Sequence, residues 1–293
     1  MSQQRKADLA LVLVTLFWGV SYYLVDLCLA ELQPMNLNAF RFLLAFVVLG
    51  AIFWKKLRHI NRATLRYSVI IGALLVGVYA GATYGVKYTS ISNTGFICAL
   101  PVVFTPLLDF LFNRRRPGKK LSIALVMCTV GLALLTLNEQ FRPASGDLIC
   151  LVCAVCYAAD MLVTEKAVAQ PEVDALTLGV CQLGVAGVLM LLVSLLLEEP
   201  HLPRTPEIWG AAVFLGLFCS GIAFVIQSVA QQYTSASHVG VIFTLEPVFS
   251  GIVAQVWAGE TLLPRGYVGA ALMLLSLLVM EVDWRGLIRR KQT

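Results

Sequence analysis

The chain repeats a stretch of itself at a distance of 145 residues, and both copies lie inside long apolar runs. Residues 88–104 read YTSISNTGFICALPVVF, and residues 233–249 read YTSASHVGVIFTLEPVF. They align without a gap, and each carries a proline near the middle of its run, Pro101 and Pro247. Two related membrane halves, with helices interrupted at matched depth, form the sequence pattern of a secondary transporter. Proline has no backbone N–H to donate, which predicts bends at Pro101 and Pro247 and a freed carbonyl about four residues before each, at Ile97 and Phe243. In a bilayer such backbone is tolerated only inside protein or beside water.

Composition places the chain in the membrane class. Apolar residues make up 59% and charged residues 13%, where soluble domains carry roughly 25% charged residues. Ten runs come near the ~20 residues that a bilayer requires: roughly 9–28, 37–54, 67–86, 94–113, 121–138, 147–164, 175–197, 207–228, 238–258 and 264–283. The first run is too long for a cleaved signal peptide and shows no small-residue cleavage site. No soluble domain is expected before or after the spans.

With a cytoplasmic N-terminus, 17 of the 22 basic residues fall in the segments on that side, among them Lys55, Lys56, Arg114, Arg115, Arg116 and Arg289. This positive-inside bias predicts a multi-pass protein of the cytoplasmic membrane with both termini in the cytoplasm. It also accounts for the net charge of +5, so nucleic acid is not expected as a partner.

The repeat extends further. Residues 7–26 match 146–165 in length, in the leading acid (Asp8, Asp147), in the aromatic (Trp18, Tyr157) and in the closing acid (Asp26, Glu165). The expected fold is all-α and integral to the membrane: ten transmembrane helices in two five-helix repeats, residues 1–140 and 141–293, together forming one transport domain. Because five is odd, the second repeat must be inverted relative to the first.

WGVSYYLVD after a short basic N-terminus resembles the first helix of the drug/metabolite transporter superfamily in its ten-helix EamA branch. RFLLAFVVLG, YTSISNTGFICALPVVFTPLLDFLF and HVGVIFTLEPVFSGIVAQVWAGETL resemble its second, fourth and ninth helices. The resemblance covers about residues 7–283. It implies export, or sometimes exchange, of small metabolites through a cavity lined by helices one, three, four, six, eight and nine. One departure is visible: where the family often ends its fourth helix with Glu, as Glu260 does after the ninth, this chain has Arg115.

An ionised side chain at the bilayer centre costs at least ~2.5–3.5 kcal/mol on insertion scales, so polar groups within spans carry whatever chemistry exists. Glu246, beside Pro247, is either a proton or cation site or a structural carboxyl of the broken helix. Asp160, whose counterpart in the first helix is Ser21, is either a site for a cationic group or a proton, or an interfacial acid near Glu165 and Lys166. The small multidrug branch of the superfamily keeps an acid at a comparable place in its first helix. Arg41 is either an anchor for an anionic substrate group or half of a structural ion pair. Trp18, Tyr79, Tyr84 and Tyr157 are an aromatic wall for stacking or cation–π contact, or packed interface aromatics. Asn93 and His238 occupy equivalent starts of the fourth and ninth helices; His238 is either a group that titrates near pH 6.5, as His ordinarily does, or an uncharged interfacial polar group. Gln227 and Ser228 in the eighth span are either cavity hydrogen-bond donors or polar groups of the helix packing.

The expected substrate site is therefore Trp18, Ser21, Arg41, Tyr84, Asn93, Tyr157, Asp160, Gln227 and His238, with Glu246, Pro101 and Pro247 as coupling and gating positions. The expected partners are a small molecule and the lipid bilayer, with protons as the candidate coupling ion and a monomer or homodimer both open. No cofactor is expected. Cys150, Cys153 and Cys156 have iron–sulfur-like spacing but sit in an apolar helix, where Cys packs as an apolar residue. Gly179, Gly184 and Gly187 read as close-packing points. Nothing resembles a phosphate loop or a nucleophile–base pair, which disfavours an enzyme. The expected function is a secondary transporter of small metabolites such as amino acids or related compounds. The alternatives are an exporter of drugs or organic cations and, more distantly, a non-transporting receptor or scaffold.

Overall fold

The computed structural model describes residues 2–88, 97–136, 145–257 and 264–281, and among them every regular element is helical. The apolar runs become helices α1 (Gln3–Leu29), α2 (Pro34–Ile52), the single turn α3 (Trp54–Leu57), α4 (Arg62–Tyr88), α5 (Pro101–Asn113), α6 (Lys119–Thr136), α7 (Ser145–Val168) and α8 (Ala175–Leu197). They are followed by α9 (Pro206–Phe214), a π-helical segment (Leu215–Ile222), α10 (Ala223–Ala230), α11 (Ala236–Phe243), α12 (Leu245–Trp257) and α13 (Pro264–Glu281). Among the described residues, seven helical stretches are long and apolar enough to cross a bilayer.

The starts of the helices are written locally. Asp174, Thr205 and Ser235 accept the N–H of Leu176, Ile208 and His238, which satisfies donors that the helix cannot. Pro34, Pro101 and Pro206 open helices where a missing N–H costs nothing. This logic corrects the expected positions of the bends. Pro101 is the first residue of α5 rather than a mid-helix kink, and the carbonyl of Ile97 is not free but accepts Leu100 N at 3.1 Å. In the ninth run the break falls at Thr244, whose N donates to Val241 O at 3.3 Å, and Pro247 sits in the first turn of α12.

Helices pack in recurring pairs. α4 lies along α7, and α1 lies along the α9–π–α10 stretch. α5 packs on α7, while α1 packs on α11 and α12. α2 pairs with α8, α6 with α13, and α5 with α11. Small residues set the closest approaches. A Cβ built on Gly19 of α1 meets Phe249 Cβ of α12 at 2.5 Å, and one on Gly81 of α4 meets Cys153 N of α7 at 2.7 Å. Gly184 and Gly187 of α8 abut Phe46 and Leu43 of α2, and Gly179 abuts Val225, as expected of close-packing points.

A short turn at 30–33 reverses the chain between α1 and α2, so the bundle has two ends. At the end where α1 begins, Glu165 accepts Arg115 Nη1 and Ala236 N, both at 2.7 Å, and Lys56 pairs with Asp174 at 3.2 Å. At the opposite end, Glu198 closes α8 over the start of α2.

Candidate functional site

The main core packs around Trp18, which is buried in α1. Its indole Nε1 donates to Cys219 O at 2.8 Å. That carbonyl belongs to the π-helical segment, where widened i→i+5 turns change which backbone groups are bonded along the helix. Such segments are frequent at functional sites. The rings of Tyr157, Phe224 and Phe243 surround the indole, with centroids 6.1, 5.7 and 4.7 Å away. Tyr157 also stacks on Phe243 at 6.0 Å.

A polar track runs off this box. Tyr157 OH donates to Gln227 Oε1 at 3.3 Å, and Gln227 Nε2 donates to Asp160 Oδ1 at 3.2 Å. Gln231 Nε2 continues to Met161 O at 2.8 Å, and Gln182 Nε2 reaches Ser228 Oγ at 3.3 Å. Asp160 and Gln227 are each 1% exposed. Among the described residues, the buried Asp160 Oδ2 and Gln182 Oε1 have no hydrogen-bond partner, a condition that calls for an explanation in a native structure.

On the other side of Phe224, Tyr79 packs on Phe224 and Phe42, and the guanidinium of Arg41 sits 5.1 Å from the Tyr79 ring centroid. Arg41 Nε donates to Ser220 Oγ at 2.7 Å, one residue beyond the carbonyl that holds Trp18. The π-helical segment therefore supplies an anchor to both α1 and α2. The structural ion pair expected for Arg41 is absent among the described residues, where no carboxylate lies within 4 Å of it. A hydroxyl and two ring faces occupy that role instead.

Of the residues expected at the site, the structure brings Trp18, Tyr157, Asp160 and Gln227 into one cluster. Arg41 joins it through Tyr79 and Phe224. Glu246, in the first turn of α12, is within electrostatic reach of Tyr79, Tyr157 and Cys219. Ser21 sits one turn from Trp18 and spends its hydroxyl on Trp18 O at 2.8 Å. Tyr84 does not join: its hydroxyl donates to Glu198 Oε1 at 3.0 Å at the far end of the bundle. His238 does not join either, because Nε2 faces Asp8 Oδ1 at 3.5 Å near the start of α1. Asn93 lies outside the described residues.

Sequence reasoning missed Phe224, Phe243, Gln182, Ser220 and Gln231. Gln182 is the one amide side chain in the run 175–197, and Gln231 repeats Gln227 one helical turn on, so both left a signal. Ser220 left none, because its role depends on the π register. The cluster is closed, with Trp18 only 5% exposed. An open cavity of about 510 Å³ lies instead at the surface of the α1-start end, between Lys55, His59, Thr64 and Thr177.

The model of the EamA-like transporter family matches this chain twice, over residues 5–137 and 144–282. An uncharacterized transporter of Archaeoglobus fulgidus is 26% identical over 94% of this chain and 86% of its own length. The uncharacterized transporter YyaM of Bacillus subtilis is 24% identical over 90% of each chain. The biotin transporter of Salmonella typhimurium is 22% identical over 92% of this chain and 91% of its own. A protein of known crystal structure shares the fold, with a TM-score of 0.80 at 20% identity over 97% of this chain and 99% of that one. With the family model matched in both halves, the chain belongs to the EamA-like transporter family.

Proposed function

We propose that this family member is a secondary transporter that exports or exchanges small metabolites, such as amino acids or related compounds, by alternating access across the cytoplasmic membrane. The observation that carries this reading is the closed polar cluster Asp160–Gln227–Tyr157, walled by aromatic rings and set where helices of the two halves meet. Ten spans in two inverted repeats, 1–140 and 141–293, complete the proposal. The packing supports it: exchanging each helix for its counterpart turns α4–α7 into α1 with the α9–π–α10 stretch and α5–α7 into α1 with α11 and α12, and leaves α2–α8, α6–α13 and α5–α11 as they are. Both termini are assigned to the cytoplasm on the positive-inside bias.

In this reading Asp160 exchanges a proton with substrate. Among the described residues its buried Oδ2 has no hydrogen-bond partner, and a proton or a substrate group binds there in alternate states. Glu246, at the start of α12, serves the opening and closing of the helix break. A second reading, export of drugs or organic cations, is favoured by the same bare oxygen beside aromatic faces. The biotin relative adds a vitamin carboxylate to the compounds worth testing.

The test is uptake into proteoliposomes over amino acids, biotin, organic amines and dyes, with and without a pH gradient. At least one class should accumulate, and Asp160→Asn should lower its uptake at least tenfold or remove its dependence on the gradient. Accumulation of nothing defeats the transport reading. An Asp160→Asn variant with wild-type rate and an unchanged pH profile removes Asp160 from the mechanism.

A further inference from the structure

Arg41 is a permanent cation buried in a helix of membrane-spanning length, 3% exposed, and among the described residues only its Nε makes a hydrogen bond. Among the described residues its two Nη groups find no hydrogen-bond acceptor. The fork is left facing the rings of Tyr79 and Phe42. Placing a guanidinium at such depth without a carboxylate is expensive, and intramembrane charges ordinarily mark a functional path. The surroundings hold the group in place. Ser220 Oγ fixes Nε, and the Tyr79 and Phe42 rings lie 5.1 and 6.0 Å from Cζ. What stays free is the part of Arg that recognises a planar anion through two parallel N–H donors.

We propose that Arg41 is the anchor for the carboxylate of the transported substrate, whose apolar body lies along the rings between Arg41 and Trp18. Tyr79, Phe224 and Trp18 follow one another from the guanidinium inward, with ring centroids 6.3 and 5.7 Å apart. The next ring, Tyr157, leads through Gln227 to Asp160. The path thus offers a fixed cation at one end, apolar faces along its length and a carboxyl oxygen at the other. A monocarboxylate with an aromatic or branched body matches this order of chemistry. A small quaternary cation does not, because it meets Arg41 as a like charge.

This inference rests on the transport reading and narrows its substrate class. The test uses counterflow in proteoliposomes with three bodies, phenyl, indole and cyclohexyl, each offered as the propionate, the propionamide and the propylamine. The wild type should accumulate the propionates at least tenfold over the amides. Arg41→Gln should abolish that preference, and Arg41→Lys, which keeps the charge but not the fork, should restore part of it. Size-exclusion profiles in detergent check folding. Should Arg41→Gln not fold, Ser220→Ala serves as the second variant, raising KM for a propionate severalfold more than KM for the matching amide. Accumulation of amines or amides in preference to propionates, or an unchanged preference in Arg41→Gln or Ser220→Ala, overturns the assignment while transport itself stands. No accumulation of any compound here or in the wider panel removes the transport reading, and this inference falls with it.

Discussion

Glu198 is a site where a single removal has a calculable consequence. Its carboxylate accepts four hydrogen bonds, from Met35 N at 3.0 Å, Asn36 N at 2.8 Å, Tyr84 OH at 3.0 Å and Ser194 Oγ at 3.0 Å. Two of the donors are the opening N–H groups of α2, which no helical carbonyl can satisfy. The negative charge also faces the positive end of the α2 dipole. Met35 and Asn36 are buried, so water cannot fully replace the carboxylate. Leaving a buried donor unsatisfied costs about 1–3 kcal/mol. Ser194 can turn to its own helix, and the half-buried Tyr84 hydroxyl can find water, so the two backbone donors dominate. Glu198→Ala should therefore destabilise the fold by about 2–4 kcal/mol. Glu198→Gln, which keeps one acceptor oxygen but no charge, should cost about half of that, and Tyr84→Phe about 1 kcal/mol or less. The assay is SDS-driven unfolding in mixed micelles followed by circular dichroism, with the exposed neighbour Glu199→Ala as the control. If Glu198→Ala and Glu199→Ala fall within 0.5 kcal/mol of each other, the clasp contributes nothing, and α2 is held by its packing on α8 alone.

Two further outcomes follow from contacts elsewhere in the bundle. Gly19→Ala should cost about 1–3 kcal/mol by overpacking, since its new Cβ would stand 2.5 Å from Phe249 Cβ; Phe249→Ala should not relieve it, because that Cβ remains, and full rescue would show that α1 and α12 do not approach this closely. Arg115→Ala should cost less than ~1 kcal/mol, as an ion pair with an Arg side chain 63% exposed, whereas Glu165→Ala should cost more by stranding Ala236 N; equal losses in the same unfolding assay would refute the capping role.

The helical class was legible because hydropathy and proline placement are local properties. Seven of the expected runs appear as helices of membrane length among the described residues, and Asp174, Thr205 and Ser235 cap helix starts through their own side chains. The bends were less legible. Proline marks a missing donor but not which side of it the chain turns, and at Pro101 and Pro247 the chain turned before the proline because a first helical turn needs no donor there.

The site was legible in proportion to how unusual each residue is in its run. Asp160, Gln227, Trp18 and Arg41 stand out from apolar neighbours, and the structure gathers them in or beside one cluster. Tyr84 stood out equally and was misplaced, because membrane depth read from sequence does not tell a ring facing the centre from one facing a carboxylate at the helix end. Glu198 was overlooked for the complementary reason: it sits at a span boundary, where acids are ordinary. The deepest omission is the π-helical segment. Its sequence, LGLFCSGI, reads as an ordinary apolar helix flanked by small residues. Only the register shift brings Cys219 O to Trp18 and Ser220 Oγ to Arg41. Without it, an α-helical register would rotate these two groups relative to α1 and α2, and one of the two side chains would lose its partner. The local departure from α-helical geometry is therefore what ties the aromatic box to the cation beside it, and a motion of this segment would be felt at Trp18 and Arg41 together.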